Sequence, residues 1–132
     1  SMMRGISVTN EKCSVGDIGF AIQSYVEKEG FSVVRDFCGH GIGEVFHKSP
    51  NILHYGKKGN GPKLKEGMIF TVEPMINEGM FETKTLNDGW TAVTKDKKLS
   101  AQFEHTIGIT KDGYEVFTYS KKGLNLPPYK HD

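Results

Sequence analysis

Ser100-Ala101-Gln102-Phe103-Glu104-His105-Thr106-Ile107-Gly108-Ile109-Thr110 alternates along its whole length. Ala101, Phe103, His105, Ile107 and Ile109 fall on one side and Gln102, Glu104 and Thr106 on the other, the period of two of a half-buried β-strand. Lys111-Asp112-Gly113 turns the chain into a second strand over residues 114–119. Upstream, residues 68–73 alternate in the same way. Residues 82–86 and 90–94 flank Asn87-Asp88-Gly89, a hairpin signal because Asp-Gly supplies the positive φ such turns require. Residues 31–37 are aromatic and β-branched enough for a further strand, which empties into Gly39-His40-Gly41-Ile42-Gly43, where glycines let the backbone turn tightly or approach a ligand. One helix is legible: Ser14 as N-cap with Asp17 three residues on, then Ile18, Ile22 and Val26 on one face and Gly30 as the stop. Residues 48–67, rich in Lys, Gly, Asn and Pro, read as loop. The sum is an α+β fold with a mostly antiparallel sheet and a covering helix.

Composition narrows the function. The 132 residues set a prior of one domain, and 17 Lys+Arg against 16 Asp+Glu give a net charge of +1, which excludes the basic footprint of a nucleic-acid binder. No apolar run approaches the length of a membrane span. Cys13 and Cys38 form no Cys-x-x-Cys pair and read as free thiols, with a disulfide or a catalytic Cys38 as the alternatives. Ser1 ahead of Met2 and Met3 reads as an expression remnant.

Four polar residues sit where a core-facing sheet has no use for them: His40 among glycines, His47 after Phe46, Glu73 before Pro74, and Glu104 inside a strand. Each alone is ordinary. Together, imidazole and two carboxylates form a mixed N/O donor set suited to Mn²⁺, Fe²⁺, Co²⁺ or Zn²⁺, and the absence of Cys-rich spacing argues against a structural zinc. A hydrolytic metal site is the natural reading. Residues 39–43 lack the Gly-Lys-Ser/Thr of a phosphate loop, and no Gly-x-Ser-x-Gly elbow exists for a serine hydrolase. His54, His105 and His131 have no chemical context and read as structural, while periodicity alone makes Phe46 and Trp90 core aromatics.

Gly39-His40-Gly41-Ile42-Gly43, Phe46-His47, Thr71-Val72-Glu73-Pro74-Met75, Asp88-Gly89-Trp90-Thr91 and Gln102-Phe103-Glu104-His105-Thr106 follow one another as in methionine aminopeptidases, and residues 11–119 closely resemble their type I form. With 33 residues from His40 to Glu73 and 31 from Glu73 to Glu104, there is no room for the helical insertion of the type II enzymes. The resemblance implies the C-terminal lobe of a pita-bread fold. It further implies that His40, Glu73 and Glu104 are metal ligands, with Glu104 bridging two divalent ions (Co, Mn, Fe or Zn), and that Glu73 shuttles the proton. His47 resembles the histidine that binds the substrate peptide and stabilises its tetrahedral intermediate, and Phe46 and Trp90 the walls of the methionine pocket.

The same resemblance implies an aspartate-bearing N-terminal half that contributes further ligands. None of Asp17, Asp36, Asp88, Asp96 or Asp112 lies in the corresponding context. The expectation is therefore a half-site: residues 1–10 a remnant and lead-in, 11–120 half of a metalloaminopeptidase catalytic domain, 121–132 a tail. The function expected is removal of N-terminal methionine from nascent proteins by the complete cytoplasmic (or organellar) enzyme, working near the ribosome, with this chain inactive alone and holding at most one ion weakly. The alternative is a non-catalytic half module that binds peptide or protein through its exposed seam. Partners expected are N-terminal methionine peptides and, across the seam, the missing half or a second copy in a homodimer, with no nucleic acid and no membrane.

Overall fold

The computed structural model describes residues 1–123. Two helices, α1 (Met2–Ser7) and α2 (Val15–Lys28), precede ten strands: β1 (Ser32–Val33), β2 (Gly39–Ile42), β3 (Lys48–Ile52), β4 (Ile69–Val72), β5 (Met75–Asn77), β6 (Thr83–Thr85), β7 (Ala92–Thr94), β8 (Ser100–Gln102), β9 (His105–Thr110) and β10 (Gly113–Val116). A five-stranded antiparallel sheet runs β10-β9-β4-β2-β3, a smaller one β1-β5-β8, and β6 pairs with β7.

Helix α2 starts where its sequence says it should. The Asp17 carboxylate takes the Ser14 N–H at 2.8 Å and the Ser14 hydroxyl at 2.9 Å, and its other oxygen takes the Gly59 N–H at 2.9 Å. One side chain thus closes the helix end and pins the 57–60 turn. These hydrogen bonds, the Ser14 N–H first, hold the Asp17 carboxyl below the usual carboxylate range. Ile18, Ile22 and Val26 face the sheet and pack with Ile6, Ile52, Phe70, Val72, Ile107 and Ile109 in one buried core. Each such side chain contributes about 1.5–3 kcal/mol when buried. Ile6 is fully buried, so residues 1–10, expected as a remnant and lead-in, in fact supply α1 and part of the core.

The alternating stretch over 100–110 is two strands, in correction of the single strand expected from its pattern. β8 pairs with β5 in the small sheet and β9 with β4 in the large one, and the chain changes sheets at Phe103 and Glu104. Its partner does the same at Glu73 and Pro74. The register carries through: Val72 faces His105 and Met75 faces Gln102. The alternation therefore persists although the sheet does not. Ala101 and Phe103 are exposed, and only the 105–109 portion of that face reaches the core.

Three further expectations are corrected. The strand over 31–37 shortens to Ser32–Val33. The glycine-rich 39–43 segment is mostly strand β2, and its glycines serve close approach: a Cβ on Gly39 would stand 2.4 Å from the Thr71 carbonyl oxygen, and one on Gly41 2.4 Å from that of Ser49. The 48–67 loop contains edge strand β3, with the register shift of a bulge opposite His40 and Gly41. The 87–89 turn stands as expected, with Gly89 at φ +70°. Of the 121–132 tail, residues 124–132 lie outside the described residues, His131 among them.

Candidate active site

The site is built on one face of three neighbouring strands. In an antiparallel pair, directly opposed residues point to the same side. Gly41 faces Phe70 across β2 and β4, which sets His40 opposite Thr71. The continuous β4-β5/β8-β9 register sets Glu73 opposite Glu104. His40, Thr71, Glu73, Gln102 and Glu104 therefore share the face turned away from the α2 core. The two carboxylates sit where both strands leave one sheet for the other, so neither is covered by a continuing ladder.

Hydrogen bonds lock the arrangement. The Thr71 hydroxyl accepts the His40 N–H at 3.0 Å and donates to Glu73 Oε1 at 2.7 Å. Gln102 Nε2 donates to the Glu73 carbonyl at 3.1 Å and lies 3.4 Å from Glu73 Oε2. His40 Nδ1 stands 3.0 Å from the Gly41 carbonyl oxygen, and Nε2 points to Glu73 Oε1 at 3.7 Å. A ring nitrogen anchored on a carbonyl leaves the other aimed at the carboxylate, the orientation a metal-binding imidazole requires.

Burial and then the neighbouring Glu73 push the Glu104 carboxyl above its ordinary value, against the opposing pull of His40. The same two causes raise the Cys38 thiol, which keeps it protonated and a poor nucleophile; the catalytic reading of Cys38 is not supported. Both cysteines are free, which also removes the disulfide alternative.

His40, Glu73, His47 and Trp90 line one cavity of about 790 Å³, together with Met75, Gln102 and Lys48. The His47 ring packs against His40 with centroids 4.2 Å apart and planes tilted by 53°, and Phe46 meets His47 at 4.7 Å and His40 at 5.1 Å. Phe46 is 65% exposed and Trp90 89%, so the core placement read from periodicity is wrong for both: they stand on the face that carries the carboxylates, not in the α2 core.

One contributor escaped the sequence. His54, 2% exposed, accepts the Glu73 N–H on Nε2 at 3.1 Å and so fixes the backbone of the carboxylate from behind. Nothing near it in sequence announces this, because the contact is made 19 residues away. Burial lowers its pKa to about 4. A folded pKa below the unfolded 6.5 means the unfolded chain takes up the proton first, so the stability is intact above about pH 6.5 and is lost as pH falls toward 4. The full shift corresponds to about 3 kcal/mol. Urea unfolding from pH 7 to 4 should show this slope, and His54→Gln, which accepts but does not titrate, should flatten it. An unchanged slope in that variant would place the acid sensitivity elsewhere. His105 is likewise structural, its Nδ1 2.8 Å from the Thr118 hydroxyl.

The donor chemistry suits a divalent ion: an imidazole nitrogen and carboxylate oxygens on one surface. The set is partial. Among the described residues no three His, Cys, Asp or Glu side chains converge as a metal cage. Most of the remaining aspartates have other duties. Asp17 caps α2, Asp36 accepts the Thr83 hydroxyl, Asp88 takes the Trp90 and Thr91 N–H groups in the hairpin turn, and Asp96 takes those of Met80 and Lys98.

Residues 1–111 match the model of metallopeptidase family M24. The chain belongs to that family. This M24 chain is 62% identical over 130 residues to the methionine aminopeptidase of Rickettsia prowazekii, covering 98% of itself and 50% of that protein. It is 50% identical over 132 residues to the methionine aminopeptidase of Escherichia coli, covering all of itself and 50% of the relative. It spans about half the length of the curated relatives it matches. The crystal structure of the Rickettsia prowazekii methionine aminopeptidase superposes with a TM-score of 0.87 at 63% identity, over 89% of this chain and 48% of that one. A prolidase from Pyrococcus furiosus, with a TM-score of 0.64 at 22% identity, over 91% of this chain and 30% of that one, shares the fold. The M24 chain thus has the α+β fold expected of it, matching about half of a pita-bread enzyme.

Proposed function

We propose that this chain supplies the His40–Glu73–Glu104 wall of a methionine aminopeptidase active site, which removes N-terminal methionine from peptides once the rest of the donor set is in place. The observation that carries this reading is the opposition of Glu73 and Glu104 in one register, with His40 Nε2 3.7 Å from Glu73 Oε1. His40, Glu73 and Glu104 would hold divalent metal. When bound, such ions (Co, Mn, Fe or Zn) supply Lewis-acid polarisation of the scissile carbonyl and acidify the attacking water.

The protein side of the chemistry falls to four residues. Glu73 carries the proton toward the leaving amine on a carboxylate that Thr71 and Gln102 hold in place. His47, on the cavity wall beside His40, hydrogen-bonds the substrate peptide and steadies charge developing on its carbonyl. Phe46 and Trp90 pack the methionine thioether, a soft group suited to aromatic faces. The substrate in the cell is the nascent protein, in the cytoplasm or an organelle, with the ribosome nearby; the exposed seam receives the other half of the enzyme or a second copy. No helix is long and apolar enough to cross a membrane among the described residues.

Calorimetry with Mn²⁺ and Co²⁺ tests the half-site. At most one ion should bind, and weakly, because three side chains cannot balance a +4 pair. His40→Ala should abolish the binding that remains. The chain alone should release no methionine from Met-Gly-Met, and activity should return when it is combined with the other half of a full-length relative. Two ions bound at micromolar affinity or better, or turnover by the isolated chain, would overturn the half-site reading.

A further inference from the structure

The cavity that holds His40, Glu73 and Trp90 has the volume of a small-ligand site rather than of a single side chain, and one cation stands in its wall. Lys48, the first residue of β3, lines it next to His47 and Ser49, while Glu73 supplies carboxylate charge beside His40. The stem of Lys48 lies over Gly43. Even a single carbon added there would meet Lys48 Cδ at 3.0 Å and Nζ at 3.3 Å, so the glycine leaves room for the ammonium. Among the described residues, the ion pairs include none from Lys48 to a carboxylate. The cavity is therefore polarised: acid at the Glu73 wall, and on the β3 wall a lysine that makes no ion pair among the described residues.

We propose that Lys48 is a specificity-determining residue, selecting peptides that carry a carboxylate downstream of the terminal methionine. The inference rests on the peptide-binding role proposed above for this cavity. A peptide whose amine and scissile carbonyl lie against the Glu73 wall extends its following residues through the remaining volume, past Ser49, Asn51 and Thr85. An acidic group on those residues meets the ammonium, and a basic one is repelled. The recognised chemistry is a carboxylate, from a side chain or from the C-terminus of a short peptide.

Trp90 is the only tryptophan in the chain and lines the same cavity, so its emission reports occupancy directly. The probes are Met-Ala-Ser-Glu-amide and Met-Ala-Glu-Ser-amide, their Gln counterparts, and Met-Ala-Ser as free acid and as amide. The acidic amides should bind about 3- to 5-fold more tightly than the Gln peptides at low salt, the scale of one exposed ion pair, and lose the advantage near about 0.5 M NaCl. A preference seen only between Met-Ala-Ser acid and amide assigns the carboxylate to the C-terminus instead of a side chain, and still supports Lys48. Lys48→Met should bring the acidic-to-neutral ratio to about one, and Lys48→Glu should invert it. Lys48 is exposed, so neither variant threatens folding. If all peptides shift the emission of Trp90 equally and both variants leave the ratio alone, the Lys48 assignment is overturned and the cavity reading stands. If no peptide changes the emission at all, the cavity reading falls and takes the assignment with it.

Discussion

Replacing Glu73 by Gln, in an enzyme completed to the full length of its relatives, is expected to lower kcat by about 10²- to 10⁴-fold, the range of a lost general acid–base group. Folding should hardly change. The amide has the volume of the carboxylate, and its oxygen can still accept the Thr71 hydroxyl that Glu73 Oε1 accepts at 2.7 Å. The backbone N–H that His54 anchors is untouched by the substitution. What disappears is the ability to take and return a proton, together with the negative charge Glu73 would offer a metal, so with metal supplied in excess kcat should fall with little change in melting temperature or in peptide Kd. Turnover at the parent rate would remove Glu73 from the proton path. A melting temperature that fell along with activity would mean that the carboxylate is structural, and the kinetic loss would then be no evidence for its chemistry.

Gly39→Ala should be the most damaging single methyl group in the site. Its Cβ would lie 2.4 Å from the Thr71 carbonyl oxygen, a backbone atom at the centre of the large sheet that cannot rotate away. Relief requires β2 to move off β4. Overpacking of this kind costs about 1–3 kcal/mol, which for a chain of this size is a fall of roughly 5–10 °C in Tm. The displaced strand carries His40, whose N–H is bonded to Thr71 at 3.0 Å, so metal affinity should fall with stability. An added methyl at Gly30, which has open space but a φ of +82°, strains the backbone without touching the site and serves as the control. An unchanged Tm in Gly39→Ala would show that the strands have slack that the structure does not suggest.

How much of this was legible in the sequence varied with the range of the interactions involved. Helix α2 was readable because its cap, its period and its stop are all local, and Asp17 sits beside the Ser14 it caps. The candidate ligands stood out only jointly: a lone histidine or glutamate is ordinary, whereas an imidazole with two carboxylates is a donor set suited to a divalent ion. The sheet change at Glu73 and Glu104 was not readable, because the alternation of side chains continues through it unaltered. The glycines of β2 were misread for a related reason: a sequence shows that a side chain is absent, not whether the space is needed for a turn or for a neighbouring strand. His54 was passed over because its role exists only once residues 54 and 73 are brought together.

The unbroken register through the sheet change also separates two quantities that the linear sequence confuses. The distance between the carboxylates is set by two short ribbons in which Val72 faces His105 and Met75 faces Gln102, not by the number of residues that lie between Glu73 and Glu104. The hairpin of β6 and β7 hangs beyond that clamp. An insertion within the hairpin therefore leaves the two carboxylates opposed, whereas its tip has to be kept as it is, because Thr85, Gly89 and Trp90 there line the cavity. A single residue gained or lost between 73 and 77, or between 100 and 104, is a different event. It puts the β5–β8 register out of step with that of β4 and β9, so the continuity that opposes Glu73 and Glu104 across the sheet change is broken.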